Sequence, residues 1–461
     1  MIRFITNNDT INRAYKIAIG DLYANIGEAD VFGETKPVIC AGFDYNTPWT
    51  RDSAINTINA GMFLMPDIVK NTLLSICEKQ GEEYYIGDGG QYWDKIIWVL
   101  AARYYTQLIK DEEFETFVFD VSLRTLKCME AEFNEEKGLF RGAAVYGDGI
   151  SAYPDCYALD IKNSSGIITW LQDNPEKKAK NGMGLPMMAL STNCVYYQVY
   201  KTIGAWANER GLDGSSYFQR AEKLKEQINL HFWNDKKGLY DYLAGESDAQ
   251  EGLGLAFSIL FGLSDAEKTQ RIAKNITITP QGIACVYPTF DRYAKLNEIG
   301  RHSGTIWPMI QGFYGLSMLY AKEYARFDSE LMSMAEKASR DLHFSEIYHP
   351  TDGKPYGGMQ ECYNPNASSS FMKMWASGEK QTWSATAFLA LIYYGVLGLK
   401  IENDYLYVRP HLPEYIDSAT LNGLKIGNLE LDLEISRGVT LQEFSISLSE
   451  KGKRTIQLGS K

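Results

Sequence analysis

Histidine and cysteine are sparse in this chain, and no stretch of it is strongly basic or continuously apolar. Five histidines among 461 residues leave little material for paired-imidazole proton chemistry. The seven cysteines, Cys40, Cys77, Cys128, Cys156, Cys194, Cys285 and Cys362, are odd in number and lack CxxC spacing. That argues against a disulfide framework and a zinc site, and for reduced thiols. Lys and Arg number 46 against 58 Asp and Glu, a net charge of −12, so nucleic acid and anionic membrane surfaces are poor partners. No apolar run reaches the roughly 18 residues of a membrane span. Met1 leads almost directly into a helical pattern with no signal-peptide core. The expectation is a soluble, cytoplasmic protein, although a chain trimmed of an export signal would read the same.

Aromatics are abundant, with 30 Tyr and 9 Trp. Most of them fill a core, yet such a surplus also suits a cleft that stacks on sugar rings. Apolar residues recur at helical spacing near 9–25, 52–64, 67–79, 92–109, 112–133, 188–210, 214–232, 250–261, 265–275, 305–323, 327–342 and 381–396. Long Gly- and aromatic-rich loops fall at 26–51, 134–187, 276–304 and 343–380, and loops of such length in a compact domain are usually functional. A weak repeat, FNEEKGLF at 133–140 and WNDKKGLY at 233–240, predicts two equivalent hairpins at helix exits. From about 402 the texture alternates between apolar and polar residues, as in short strands. The expected fold is all-α: an (α/α)6 toroid over residues 1–400, with a small antiparallel β appendage over 401–461.

The segment FDYNTPWTRDSA, residues 43–54, sets aromatic and ionic groups side by side at a helix start. Trp49 can stack on a pyranose while Arg51 and Asp52 hydrogen-bond its hydroxyls. A helix N-cap beside a buried Trp explains the same letters. The segment resembles the TWTRDSA pocket segment of glucoamylase, the family 15 glycoside hydrolases, and that resemblance implies that Arg51 and Asp52 grip the terminal sugar. Inverting hydrolysis needs a protonated carboxyl and an ionised one on opposite faces of the bond, about 6.5–9.5 Å apart. GGMQECYNPN, followed by TWSATAF at the last helix, resembles the general-base region of the family 63 processing α-glucosidases. This implies Glu361 as the base, with Cys362 departing from the commoner neighbour and Trp383 opening the final helix.

For the acid, family 63 and the trehalases imply an Asp in the loop that here reads VYGDGISAYPDCYALD. Asp148 has the best setting, between Gly147 and Gly149 and facing Tyr146 and Tyr153, where aromatic neighbours would raise its pKa. Asp155 and Asp160 are the alternatives, and a D-G turn is the bland explanation. IGDGGQYWDK offers Asp88, Gln91 and Trp93 as a pocket wall, or simply a good turn. GRHSGTIWP resembles the HNGTVWP segment of the amylo-α-1,6-glucosidase domain of glycogen debranching enzymes, which places His302 and Trp307 near the sugar, His302 in a hydrogen-bonding role only. The resemblance spans about residues 1–400. It implies an inverting, exo-acting α-glycosidase, an α-glucosidase first of all, with a carbohydrate substrate and no metal or organic cofactor. Glycosidases of family 63 that cleave glucosyl- or mannosylglycerate are the rival from the same clan, and would need a cation for the glycerate carboxylate that the sequence does not assign. A phosphate-gripping loop that would make a phosphorylase is not evident. A sugar 2-epimerase using His302, His343 or His349, and a non-catalytic sugar-binding module, are the rivals from other classes.

Overall fold

Helices buried on every face alternate with helices buried on one. In the computed structural model of the chain all residues are described except Met1, Asp160, Asn163, Ser164, Pro365, Ala367, Ser368, Asn403, residues 439–442 and 459–461, and the side chains of Asn364, Ser369 and Ser370. The twelve main helical segments are α1 (Asp9–Ala24), α2 (Thr50–Asn56), α3 (Pro66–Ser75), α4 (Ile97–Leu108), α5 (Glu112–Met129), α6 (Leu190–Glu209), α7 (Ser215–Phe232), α8 (Gly252–Leu260), α9 (Ala266–Asn275), α10 (Pro308–Tyr320), α11 (Tyr324–Asp341) and α12 (Thr382–Ala390). A π-helical turn, Thr57–Gly61, continues α2, and another, Leu391–Val396, continues α12.

The even-numbered helices pack in sequence, α2 on α4, α4 on α6, α6 on α8, α8 on α10 and α10 on α12, and α12 returns to α2. That closes a cycle of six. Every residue of α2 and of α12 is buried, as expected of a helix surrounded on all sides. Against this ring lie amphipathic helices: α1 packs on α12 and α11, α5 on α4, α7 on α6 and α11 on α10. Only Ala221, Leu224, Ile228 and Phe232 of α7 are buried.

The helix starts differ in a way that prepares the site. Asn8, Asp111 and Asp265 cap α1, α5 and α9, their side chains accepting from the backbone N–H of Ile11, Phe114 and Lys268. None of the six inner helices has a side-chain cap; they begin after Trp49, Ile96, Ala189, Glu251, Trp307 and Gln381. Uncapped N–H groups and the positive end of the helix dipole are left to polar groups from elsewhere.

The chain is not all-α as expected, because strands punctuate its loops. Phe133 pairs with Phe140, and Trp233 with Tyr240, so the two repeated octapeptides are equivalent hairpins. In each, the turn Asn side chain accepts from the Lys backbone N–H, Asn134 from Lys137 and Asn234 from Lys237. The glycine of each turn is left-handed, Gly138 at φ 64° and Gly238 at φ 65°, which only glycine adopts without strain. The chain also opens on a strand rather than a helix: β1 (Arg3–Thr6) pairs with a strand near the other terminus. A hairpin of β2 (Met359–Asn364) and β3 (Ser369–Met374) stands in the last long loop. Beyond it come β4 (Leu399–Glu402), β5 (Tyr405–Val408), β6 (Ser418–Ile426), β7 (Leu429–Ser436), β8 (Phe444–Ser447) and β9 (Gly452–Leu458). They form a three-stranded sheet β4-β5-β8 and a four-stranded sheet β1-β6-β7-β9. The appendage is not wholly antiparallel, since β7 and β9 run parallel. Leu429, Leu431, Leu433 and Ile435, alternate residues of β7, are buried, the period of a half-buried strand.

Candidate active site

A solvent-open pocket of about 160 Å³ lies where the N-termini of α2, α10 and α12 meet the long loops. Trp49, Thr50, Arg51 and Asp52 reach it from the start of α2, and Trp307, Gln381 and Trp383 from the starts of α10 and α12. Asp88, Gln91 and Asp94 come from the loop before α4, Asp148 from the loop before α6, and Arg301 and Glu346 from the loops on either side of α10 and α11. Tyr45 and Ala41 complete the wall.

Arg51 is fixed from behind. Its Nη1 donates to Gln91 Oε1 at 2.9 Å, Asp94 Oδ2 at 3.1 Å and the Val145 carbonyl at 2.9 Å, and its guanidinium lies over Trp383, 5.2 Å from the ring centroid. Arg51 Nε, Asp94 Oδ1, Gln381 Oε1 and Trp383 Nε1 are buried and have no hydrogen-bond partner among the described residues. Buried polar atoms without partners are costly, and all four belong to residues that line this cavity. Burial pushes Asp52 up to about 6 and Asp94 up to about 8, in each case against the pull of Arg51.

Asp148 is held by a frame of hydrogen bonds. The Tyr153 hydroxyl accepts from Ala144 N–H at 3.0 Å and donates to the Gly147 carbonyl at 2.6 Å. Ile167 N–H donates to the Asp148 carbonyl at 2.7 Å, and Gln91 Nε2 donates to its Oδ2 at 3.4 Å. Its carboxyl remains 45% exposed, so it can meet a substrate. The flanking glycines make room for protein groups: a Cβ at Gly147 would meet the Tyr153 hydroxyl at 2.6 Å, and one at Gly149 would meet Gln360 Oε1 at 2.9 Å. His302 Nε2 lies 3.4 Å from Asp148 Oδ1; its Nδ1 is 2.8 Å from Ser151 Oγ, and its ring stacks on Trp307 at 4.8 Å. Burial would raise the Asp148 carboxyl, but the His302 hydrogen bond and the Arg51 and Arg301 charges outweigh it and hold Asp148 well below the usual carboxylate range. The aromatic elevation expected from the sequence is therefore not found. His302 is itself pushed below its ordinary value by burial, against Asp148.

Of the residues singled out in the sequence, Trp49, Arg51, Asp52, Asp88, Gln91, Asp148, Trp307 and Trp383 share this pocket, whereas Trp93 is buried outside it. Asp88 is also a turn residue, accepting from Gly90 N–H and paired with Lys95 at 3.4 Å. Tyr153 and His302 do not line the pocket; both are buried behind Asp148 and hold its loop. Glu361 does not line it either. On β2 its neighbour Gln360 turns toward Ser151 and Gly149, while Glu361 turns the other way and spends its carboxylate on Arg292 Nε at 2.6 Å and the Tyr293 hydroxyl at 2.8 Å. Asp155 joins the same knot, 2.8 Å from Arg292 Nη1, and Asp160 lies outside the described residues.

Three charged pocket residues escaped the sequence reading: Asp94, Arg301 and Glu346. Arg301 Nη2 donates to Glu346 Oε2 at 2.8 Å, and Gly378 N–H reaches the same oxygen at 3.3 Å. Glu346 Oε1 receives no hydrogen bond from the described residues. Tyr45 is pushed up to about 12, first by the Glu346 carboxylate and then by burial. The available signal was local: Glu346 shares the 343–380 loop with Glu361, and Arg301 stands inside the GRHSGTIWP segment.

Known proteins share this fold. No curated protein matches the chain in sequence. In fold the chain is similar to the GH63 mannosylglycerate hydrolase of Thermus thermophilus, solved in complex with Tris and D-glycerate: TM-score 0.60, 13% identity, covering 82% of this chain and 100% of that one. It is also similar to a rhamnosidase from Klebsiella oxytoca with rhamnose bound, at TM-score 0.54 and 14% identity over 84% of this chain and 64% of that one. A third is the neutral trehalase Nth1 of Saccharomyces cerevisiae, at TM-score 0.50 and 12% identity over 82% and 79%. The sequence model for the mannosylglycerate hydrolase MGH1-like glycoside hydrolase domain matches residues 98–384, a stretch that carries Asp148, Arg301 and Glu346 as well as Trp307 and Trp383. The chain therefore belongs to the MGH1-like glycoside hydrolase family and is a glycoside hydrolase.

Proposed function

We propose that the chain is an inverting, exo-acting glycosidase on an (α/α)6 barrel, releasing a terminal sugar, an α-glucoside first of all, from an oligosaccharide or small glycoside. The observation that carries the reading is that Asp148 and Glu346, from loops far apart in the chain, line one pocket with Arg51 and Asp52. Asp148, open to the cavity, is the proton donor. Glu346 is the base: Arg301 and Gly378 hold one carboxylate oxygen and leave Oε1 to orient water. Arg51 and Asp52 grip the sugar hydroxyls, and Trp49, Trp307 and Trp383 provide stacking faces. The base role moves from Glu361 to Glu346 because Glu361 does not line the pocket and its carboxylate is engaged by Arg292 and Tyr293. No histidine among the described residues lines the pocket, which favours hydrolysis over epimerase chemistry.

A second reading, hydrolysis of mannosyl- or glucosylglycerate, is favoured by the family match and by the Thermus neighbour. The two readings share the sugar site and differ in the aglycone. A screen of α- and β-glycosyl fluorides, followed by NMR of the first-formed anomer, tests the common part. An inverted product is expected; a retained anomer, or no turnover of any fluoride, refutes it.

A further inference from the structure

Resting on the hydrolase reading above, we infer that the leaving group is uncharged, a second sugar or a polyol, and that a carboxylate-bearing aglycone is disfavoured. The charges around the pocket are the reason. Its lining holds five carboxyl groups, those of Asp52, Asp88, Asp94, Asp148 and Glu346, and two cations, Arg51 and Arg301. Both cations are committed: Arg51 to Asp94 at 3.1 Å and Arg301 to Glu346 at 2.8 Å. The lining is thereby left without an unpaired cation among the described residues. An incoming carboxylate would have to desolvate beside like charges with no cation to receive it, and unpaired charge in a partly enclosed site is strongly unfavourable. Discrimination of this kind, by repulsion of the wrong ligand, is a common source of specificity.

The remainder of the mouth is suited to a neutral ring. Tyr45 and Trp49, 38% and 40% exposed, form the outer wall. Trp375 lies beside Arg301, whose guanidinium is 5.8 Å from its ring centroid, and Phe43 adjoins Lys380 next to the lining residue Gln381. The lysines beside the mouth do not line the pocket: Lys95 is paired with Asp88 at 3.4 Å, and Lys373 and Lys380 lie over Trp375 and Phe43 respectively. The residues of the chain that are not described include one basic residue, the C-terminal Lys461. Partly exposed aromatic faces beyond a polar sugar site are the means by which a pyranose is held without charge.

The test uses the full chain and the sugar whose glycosyl fluoride it hydrolyses. Three substrates of that sugar and linkage are compared: the glycerol glycoside, the glycerate glycoside, which differs by one carboxylate, and a neutral disaccharide. The kcat/KM for the glycerol glycoside or the disaccharide should exceed that for the glycerate glycoside by at least about tenfold. Asp88→Asn, which removes one negative charge, should narrow that ratio. A preference for the glycerate compound, equal turnover of charged and uncharged glycosides, or a ratio unmoved by Asp88→Asn overturns the inference while leaving the hydrolase reading in place. Inertness toward every glycosyl fluoride overturns both.

Discussion

Asp148 carries a tension that its neighbours create. A proton donor must hold a proton, yet Arg51, Arg301 and the His302 hydrogen bond pull this carboxyl down. A donor of that kind works through a minor protonated form whose high acidity compensates for its scarcity. The sign follows: kcat/KM on a glycoside should fall as pH rises from the acid side, with its alkaline limb below neutrality. His302→Phe keeps a ring on Trp307 and removes the Nε2 donor; it should raise the Asp148 pKa and move that limb to higher pH, and a limb unchanged by the substitution would remove Asp148 from the donor role. Asp52 offers a second residue-scale test. It is 4% exposed and burial disfavours its charge, so Asp52→Ala should leave Tm nearly unchanged while lowering kcat/KM by orders of magnitude. A large drop in Tm with activity retained would make it a structural helix-start residue. The pocket ends of helices were legible because Trp49, Arg51 and Asp52 are contiguous or nearly so. Glu346 and Arg301 were not, because their meaning lies in a contact between two loops that no spacing encodes.

At the scale of elements, periodicity found the twelve helices well, since a ring of helices buried all round beside amphipathic ones gives long, regular patterns. It also found the two octapeptide hairpins, whose Asn and Gly positions are set by turn geometry. It missed the Ile167–Asp173 helix within the 134–187 loop and the pairing of β1 with β6, which joins residues far apart in the chain. It set Glu361 and Tyr153 beside the sugar, whereas neither lines the pocket, because strand and loop direction decide which side of β2, or of the Asp148 loop, a side chain takes. Glu251, at the start of α8, gives an element-scale prediction. It is fully buried, accepts from Ser191 N–H at 3.0 Å, and burial pushes it up to about 8. The folded state therefore binds this proton more tightly than the unfolded one, and stability falls as pH rises from about 4.5 toward 8. Glu251→Gln keeps the acceptor and should remove up to a few kcal/mol of that slope; parallel Tm-versus-pH curves for the two proteins would contradict it.

For the whole molecule, the closed ring puts six uncapped helix starts at one end and leaves the long loops to supply carboxylates over them. The family match fixes the reaction class, and the proposed division of labour between two glutamates of one loop is what remains to be tested. Glu361→Gln leaves Arg292 with a weakened partner in a buried knot and should cost stability, on the order of 3–5 kcal/mol if the pair is fully broken, without abolishing turnover in the folded fraction. Glu346→Gln likewise weakens the partner of a buried Arg301, and in its folded fraction should remove the group that activates water. The deciding measurement is the turnover of a glycosyl fluoride by these two variants, with and without azide. With Glu346 as base, Glu346→Gln should lose about a thousandfold or more, partly restored by azide attacking from the water face, and folded Glu361→Gln should lose less than about tenfold. Azide-rescuable loss in Glu361→Gln, with Glu346→Gln near full activity, would return the base role to Glu361.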